Sequence, residues 1–331
     1  MKHVCINTPG VFIGLESKRL LIKEKDTLIF ELPLNRIKTL QILSKGISIS
    51  SNVLYELSAR GVSVFFLDYR KIPVMALSGT QNHSIVELRK KQFSFLESTN
   101  LIHLCKIIIT AKIKNQRSVL LYFLKSKGNS FECSQSLRKG ILSIDKIISE
   151  SKNCDYENLN NWKEVLMGYE GASAHSYWTS LRESEYLPSV FLKRVGRGAG
   201  DIVNQSLNLG YSILMSYVWN SILKSGLEPY QGFLHENRPG RPALILDIME
   251  EYRPWVVDRN IIKLRSILSK KDTFETNIKN KIIEEIHKTF EKKFNFYGKQ
   301  LKLETILQRQ VYRLCGYIYE KKKYKPMLFK W

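Results

Sequence analysis

The stretch GFLHENRPGRPALILDIMEEYRP, residues 232–254, gathers His235, Asp247, Glu250 and Glu251 in a chain whose overall charge is strongly positive. Pro242 fits the first turn of a helix. Asp247, Glu250 and Glu251 then fall at i, i+3 and i+4, which sets all three near one helical face. Like charges at that spacing repel unless a cation sits nearby, and Arg241, Arg253 or a divalent metal could supply it. A solvated acidic face is the plainer alternative. His235 changes the balance, because apolar Phe233 and Leu234 deliver it to the edge of a core. A single histidine is more often a structural hydrogen bonder. Beside carboxylates, imidazole and oxygen donors together suit Mn²⁺ and tolerate Mg²⁺. A metal held there would serve phosphodiester chemistry and make an acidic pocket attractive to a polyanion.

Such a site needs a further ligand, and VLMGYEGASAHSYW (165–178) offers Glu170 between Gly168 and Gly171. The glycines permit a tight backbone before a helix, so Glu170 also reads as a carboxylate at a helix N-terminus. Glu170 and His175 are five apart, which does not match the i, i+4 pair of a metalloprotease helix.

These residues must be held by elements of two textures. Residues 1–77 read as β-rich: DTLIFELPL and RIKTLQIL are strands split at Pro33, VSVFFLD is a buried strand and IPVMAL a final one. Between them SSNVLYELSARG reads as one short helix, with Ser50 or Ser51 as cap and Gly61 as stop. SGTQNHS, residues 78–84, is the natural linker. Residues 85–331 have helical spacing in long Gly/Pro-free stretches, among them LIHLCKIIITAKIKNQRSVLLYFLKS and FETNIKNKIIEEIHKTFEKKF. The expected fold is α+β, a small N-terminal β-rich domain followed by a larger all-helical domain.

Lys and Arg total 52 against 31 Asp and Glu, a formal net charge of +21. Residues 261–331 hold 18 Lys/Arg against 7 Asp/Glu, an excess of +11. That excess suits a polyanionic partner, through release of condensed counterions. An anionic membrane surface is the rival, but the helices lack the basic face with tryptophan expected of a membrane-surface protein. Five scattered cysteines, without a CxxC pair, argue against a disulfide framework or zinc ribbon. No apolar run approaches ~20 residues and the start lacks a basic-then-apolar leader pattern, so a cytoplasmic protein is expected.

Several blocks then resemble, in family order, the CRISPR-associated protein one family, the integrase of spacer acquisition. They are LPLNRIKTLQIL, AKIKNQR, GYEGASAHSYW, DIVNQSLNLGYSIL, GLEPYQGFLHENRPGRPALILDIMEEYRP and YKPMLFKW. The resemblance implies a dimerising N-terminal β domain, a helical catalytic and DNA-binding domain, and Mg²⁺ or Mn²⁺ on Glu170, His235 and Glu250. Spacing leaves Glu250 and Glu251 open; the family pattern selects Glu250. Asp247 matches the neighbouring acid that supports the metal or the DNA end. Asn204, Asn208 and Tyr211 match a helix lining the site, and Lys112, Asn115 and Gln116 match a block that is structural or faces DNA. One departure concerns LKRVGRGAGD (192–201), where three glycines replace a stiffer Arg/Pro-rich segment. It reads as a flexible loop from which Lys193, Arg194 and Arg197 can contact phosphate, with Arg241 and Arg253 as further DNA candidates.

The resemblance therefore implies an endonuclease and integrase of CRISPR adaptation. It would join 3′-hydroxyl ends of short DNA fragments to the repeat array by transesterification, as a homodimer. Two such dimers would be bridged by the small second adaptation protein. A nuclease that only hydrolyses shares every ligand. A catalytically silent DNA-binding scaffold predicts that alanine at Glu170, His235 and Glu250 changes no chemistry.

Overall fold

The structure is a computed structural model that describes residues 2–68, 73–77, 79, 86–126, 130–196, 198–271, 273–320 and 322–330. The chain divides into two compact units, Met1–Ser84 and Ile85–Trp331. Of the expected linker 78–84, only Gly79 lies among the described residues.

The first unit holds β1 (Lys2–Ile6), β2 (Phe12–Glu16), β3 (Arg19–Glu24), β4 (Thr27–Pro33), β5 (Ile37–Ile42), β6 (Ser48–Ile49), α1 (Ser51–Ala59), β7 (Ser63–Leu67) and β8 (Pro73–Leu77). Two four-stranded sheets result, in the orders β1-β5-β7-β8 and β4-β3-β2-β6. β5 pairs in parallel with both β1 and β7 and is buried along nearly its whole length, as a central parallel strand must be. α1 begins where Ser50 accepts the Asn52 amide, a side-chain cap for an otherwise orphaned donor. Val11, Ile13, Leu20, Leu40, Val53, Leu57 and Val64 form the shared core. The edge strand β4 is different, because Leu28, Ile29 and Phe30 are exposed on it.

The second unit runs α2 (Val86–Ser94), α3 (Asn100–Leu124), α4 (Phe131–Asn153), α5 (Trp162–Glu183), α6 (Ile202–Ser225) and α7 (Ala243–Met249). A π-helical turn, Arg253–Asp258, follows, then α8 (Arg259–Lys263), α9 (Arg265–Leu268), α10 (Thr276–Glu291), β9 (Lys293–Phe296), β10 (Lys299–Lys302) and α11 (Leu303–Ile318). α6 is buried on almost every side and is the axis of this unit. Asp201 caps it by accepting the Asn204 amide at 2.8 Å, and Gly226 ends it at φ +82°, the left-handed conformation open to glycine. The hairpin β9–β10 is the one departure from a helical unit among the described residues. The helical spacing of FETNIKNKIIEEIHKTFEKKF holds only to Glu291. From Lys293 the chain reverses through Tyr297-Gly298, both at positive φ, a turn suited to a strand pair. No described helix is long and apolar enough to cross a membrane.

Candidate metal centre

Asp247 lies in the last turn of α7 and is fully buried. Its Oδ2 accepts the backbone N–H of Phe233 at 2.6 Å and of Leu234 at 3.1 Å, and its Oδ1 accepts the His235 N–H at 2.9 Å. The turn is thereby wrapped around one carboxyl group. Gly232 makes the approach possible, since a Cβ there would meet Ala243 at 2.6 Å and Asp247 Oδ2 at 3.0 Å. Asp247 Oδ1 also lies 2.7 Å from His235 Nδ1. A carboxylate on Nδ1 fixes the ring and the tautomer and leaves Nε2 as the outward donor atom, the arrangement of a metal-binding histidine. Nε2 stands 3.9 Å from Glu250 Oε1.

Glu250 caps the end of α7 and is buried. Its Oε1 takes Arg253 at 3.1 Å, and its Oε2 faces Lys112 Nζ at 2.6 Å. Burial pushes the carboxyl up, but Arg253, Lys112 and His235 together outweigh it and hold it at about 2. The same Lys112 ammonium pairs with Glu170. Burial lowers the Lys112 pKa, and the two glutamates more than offset it, so the group stays charged. Glu170 sits in the middle of α5, not at a helix start, because Gly168 and Gly171 continue the helix on an open side instead of making a turn. Lys112 is the residue whose part sequence reasoning left undecided. Its signal is a polar side chain in α3 among buried Ile108, Ile109 and Ile113.

Among the described residues, no three His, Cys, Asp or Glu groups stand at metal-holding spacing as they are. The Lys112 ammonium takes the position between Glu170 and Glu250 that a divalent ion would compete for. Three features fit such an ion. A cation already bridges the two carboxylates, the imidazole presents Nε2 3.9 Å from Glu250 Oε1, and Glu250 is held ionised despite its burial.

Asp247, Glu250 and Glu251 do not share one face. Glu251 points the opposite way, into the core, where Tyr324 donates its hydroxyl to Oε1 at 2.5 Å and the Met327 amide donates to Oε2 at 2.9 Å. α7 stops at Met249, so helical spacing no longer relates Glu250 and Glu251 to Asp247. Burial raises the Glu251 carboxyl to about 7 against these hydrogen bonds. Asn115 closes the same corner. Its amide donates to Glu251 O at 2.7 Å and Met327 O at 2.9 Å, and its Oδ1 accepts the Phe329 amide at 3.0 Å. Gln116 accepts from the Ser173 hydroxyl at 2.8 Å, so both members of this block are internal.

The 192–201 segment is not a free loop. Arg194 donates to Asn204 Oδ1 at 2.9 Å and Asn208 Oδ1 at 2.6 Å. Asn204 Nδ2 reaches Lys193 O at 2.8 Å, and Asn208 Nδ2 reaches Gly196 O at 2.6 Å. Two amide side chains on α6 therefore replace the stiffness that the glycines lack. Asn204 is fully buried and holds the loop, with no surface for a partner. The Arg194 and Arg253 guanidinium groups lie 5.1 and 5.3 Å from the Tyr211 ring centre, and Tyr211 donates its hydroxyl to Asp258 at 2.5 Å. Arg253 is packed between Glu250 and Tyr211. Lys193 is exposed and Arg241 partly exposed. Arg197 lies outside the described residues.

The family model described as CRISPR associated protein Cas1 matches residues 4–295. This chain belongs to the Cas1 family. It is 44% identical to the CRISPR-associated endonuclease Cas1 1 of Francisella tularensis subsp. novicida (strain U112), over 100% of both chains. Among solved structures, it is similar to a casposase bound to integration product, with TM-score 0.76, 21% identity and coverage of 98% and 93%. It is also similar to part of a Cas6-RT-Cas1–Cas2 complex, with TM-score 0.77 and 19% identity over 98% of this chain and 36% of that longer one. At those identities the two structures bear on the fold, and the α+β Cas1 fold is the one observed.

Proposed function

We propose that this Cas1 chain is a divalent-metal-dependent DNA endonuclease and integrase of CRISPR adaptation. The observation that carries the reading is the bridging of Glu170 and Glu250 by one buried cation, Lys112, with His235 Nε2 3.9 Å from Glu250 Oε1 and Asp247 behind the histidine. Mg²⁺ or Mn²⁺ on those three side chains would neutralise phosphate oxygens and lower the pKa of an attacking hydroxyl.

The chain's own groups do the rest. Asp247 keeps the proton on His235 Nδ1, so Nε2 remains a lone-pair donor. Arg253 and Lys112 keep Glu250 ionised, and both offer positive charge where a phosphate's charge grows. Tyr211, braced by Asp258, is a flat support for the Arg194 and Arg253 guanidinium groups. Exposed Lys193 and partly exposed Arg241 meet the DNA backbone. No covalent enzyme intermediate is required, so the nucleophile is a DNA 3′ hydroxyl for joining or water for cleavage.

The homodimer reading is supported by β4, whose exposed Leu28, Ile29 and Phe30 form an apolar edge that a second strand would cover. The small second adaptation protein is proposed as a partner because a structural relative is a Cas1–Cas2 assembly. Hydrolysis without joining is the second reading, favoured by the name endonuclease that the Francisella relative carries. One assay separates the two. The protein, a short duplex with free 3′ hydroxyls, a repeat-containing plasmid and Mn²⁺ give branched products if it joins and only shortened strands if it cuts. His235→Ala abolishes either product. Equal product from that variant removes His235 from the site.

A further inference from the structure

The Cas1 site leaves unexplained a cavity of about 300 Å³ within the basic 261–331 stretch, lined by Phe296, Tyr297, Lys299, Arg309, Tyr312, Arg313 and Lys322. It lies between the β9–β10 hairpin and α11, within one unit. Four of its seven described lining residues are cationic, three are aromatic, and none is acidic. Charge on an outer surface is ordinary; charge interleaved with aromatic rings around a concavity is not.

Three local features argue that the cavity is built. The hairpin turn takes positive φ at both central residues, where Asn-Gly or Asp-Gly fits without cost. Here Tyr297 takes the first position at φ +52°, an unfavourable setting for a bulky side chain. Its ring is half exposed, backed edge-on by Phe296 at 4.7 Å, and covered by the Arg313 guanidinium at 4.0 Å. Arg313 also holds a buried Nε that has no hydrogen-bond partner. On α11, Gly316 lacks a side chain where the stem of Lys322 lies, since a Cβ would meet that stem at 3.0 Å. A glycine inside a helix is disfavoured relative to alanine. Here it lets Lys322 lie flat over the helix and reach the cavity. Tyr312, half exposed beside Arg309 and Arg313, completes the wall.

We infer that this cavity binds an unpaired strand of nucleic acid, with one base stacked on Tyr312 and the flanking phosphates met by Lys299, Arg309, Arg313 and Lys322. The volume falls at the lower end for small-ligand pockets, the scale of a single nucleotide. Aromatic stacking tolerates any base, because every base presents a π face, and cationic grooves track the backbone. A base still paired in a duplex cannot enter, so a duplex would meet only the rim charges. The site makes no use of Glu170, His235 or Glu250. It goes beyond the proposed reaction and is tested without metal.

The measurement is fluorescence anisotropy of a labelled twelve-residue oligothymidylate with the full chain in EDTA. Tyr312→Ala is expected to weaken binding about tenfold, with Tyr312→Phe restoring it. The same substitution is expected to leave a blunt duplex of equal length unaffected. An abasic oligomer should bind the unaltered protein as weakly as the oligothymidylate binds Tyr312→Ala. Arg309→Glu with Lys322→Glu should weaken both strand and duplex and lower the salt slope by about two phosphates' worth. An oligouridylate arm reports whether the strand is RNA or DNA. All three substituted residues are exposed, and unchanged melting temperatures confirm that the variants fold. The inference is overturned if Tyr312→Ala binds the strand as the unaltered protein does. It is equally overturned if the abasic oligomer binds undiminished, or if oligoglutamate of equal charge competes as well as the oligothymidylate.

Discussion

Glu250 and Glu251 are neighbours in sequence, both buried, and opposite in electrostatic state. Glu250 faces Lys112, Arg253 and His235 and is held at about 2; Glu251 faces a tyrosine hydroxyl and a backbone amide and is raised to about 7. Loss of hydration acts on both alike. Full cations outweigh it, and neutral dipoles do not. One residue boundary thus separates a group suited to holding a metal from a group suited to holding the chain together. Predictions that separate the two should show activity loss on one side and stability loss on the other.

The largest effect is expected from the metal side. Glu250→Gln or His235→Ala should lower Mn²⁺-dependent cleavage by about three orders of magnitude while the protein still melts cooperatively. A reduction of only a few-fold, measured by gel analysis of DNA products, would place the metal elsewhere. Next comes Glu251→Ala, which leaves the Tyr324 hydroxyl and Met327 amide buried without acceptors. A loss of about 3 kcal/mol in urea unfolding is expected, with cleavage per folded molecule nearly unchanged. Loss of cleavage at full stability would merge the two regions.

The pH dependence sharpens the contrast, because the two contributions have opposite signs. The folded Glu251 binds its proton more tightly than the unfolded chain does. Its contribution is complete below 4.5 and is lost as pH rises towards about 7. The folded Glu250 binds its proton more weakly. Its contribution is complete above 4.5 and is lost as pH falls towards about 2. Urea midpoints between pH 4.5 and 7.5 should fall less steeply for Glu251→Gln than for the unaltered protein. A smaller effect is expected from Asn208→Ala, which removes one of two amide contacts of Arg194 and the bond to Gly196 O. It should cost about 1 kcal/mol and lower cleavage only a few-fold, as the wall around Tyr211 loosens.

Much of this was readable from residue pattern. Apolar and β-branched runs mark β4, β5, β7 and β8, Ser50 or Ser51 marks the start of α1, and Gly61 marks its stop. The resemblance to the family pointed to Glu170, His235 and Glu250 together. The limits have physical causes. Helical spacing put Asp247, Glu250 and Glu251 on one face because nothing in the residue types announces that α7 ends at Met249. Three glycines in 192–201 suggested a mobile loop because its fastenings, Asn204 and Asn208, lie on another element. Lys293 and Phe294 close a stretch of helical pattern, and only the reversal at Tyr297-Gly298 turns them into a strand. Lys112 was visible as a residue but not as the cation of the site, since its partners come from α5 and the end of α7.

The corner fastened by Asn115 also bears on the order of folding. Asn115 meets residues 136 to 214 positions away, at Glu251, Met327 and Phe329. Closing such long loops has an entropic cost that local helices do not bear, so contacts of this range form late. α3, α5 and α6 can wind up independently, each from its own sequence. Glu250 cannot be set opposite Lys112 and Glu170 until the turn that carries it has been anchored from behind. A chain caught half-folded would hold most of its helices and yet be inert towards DNA.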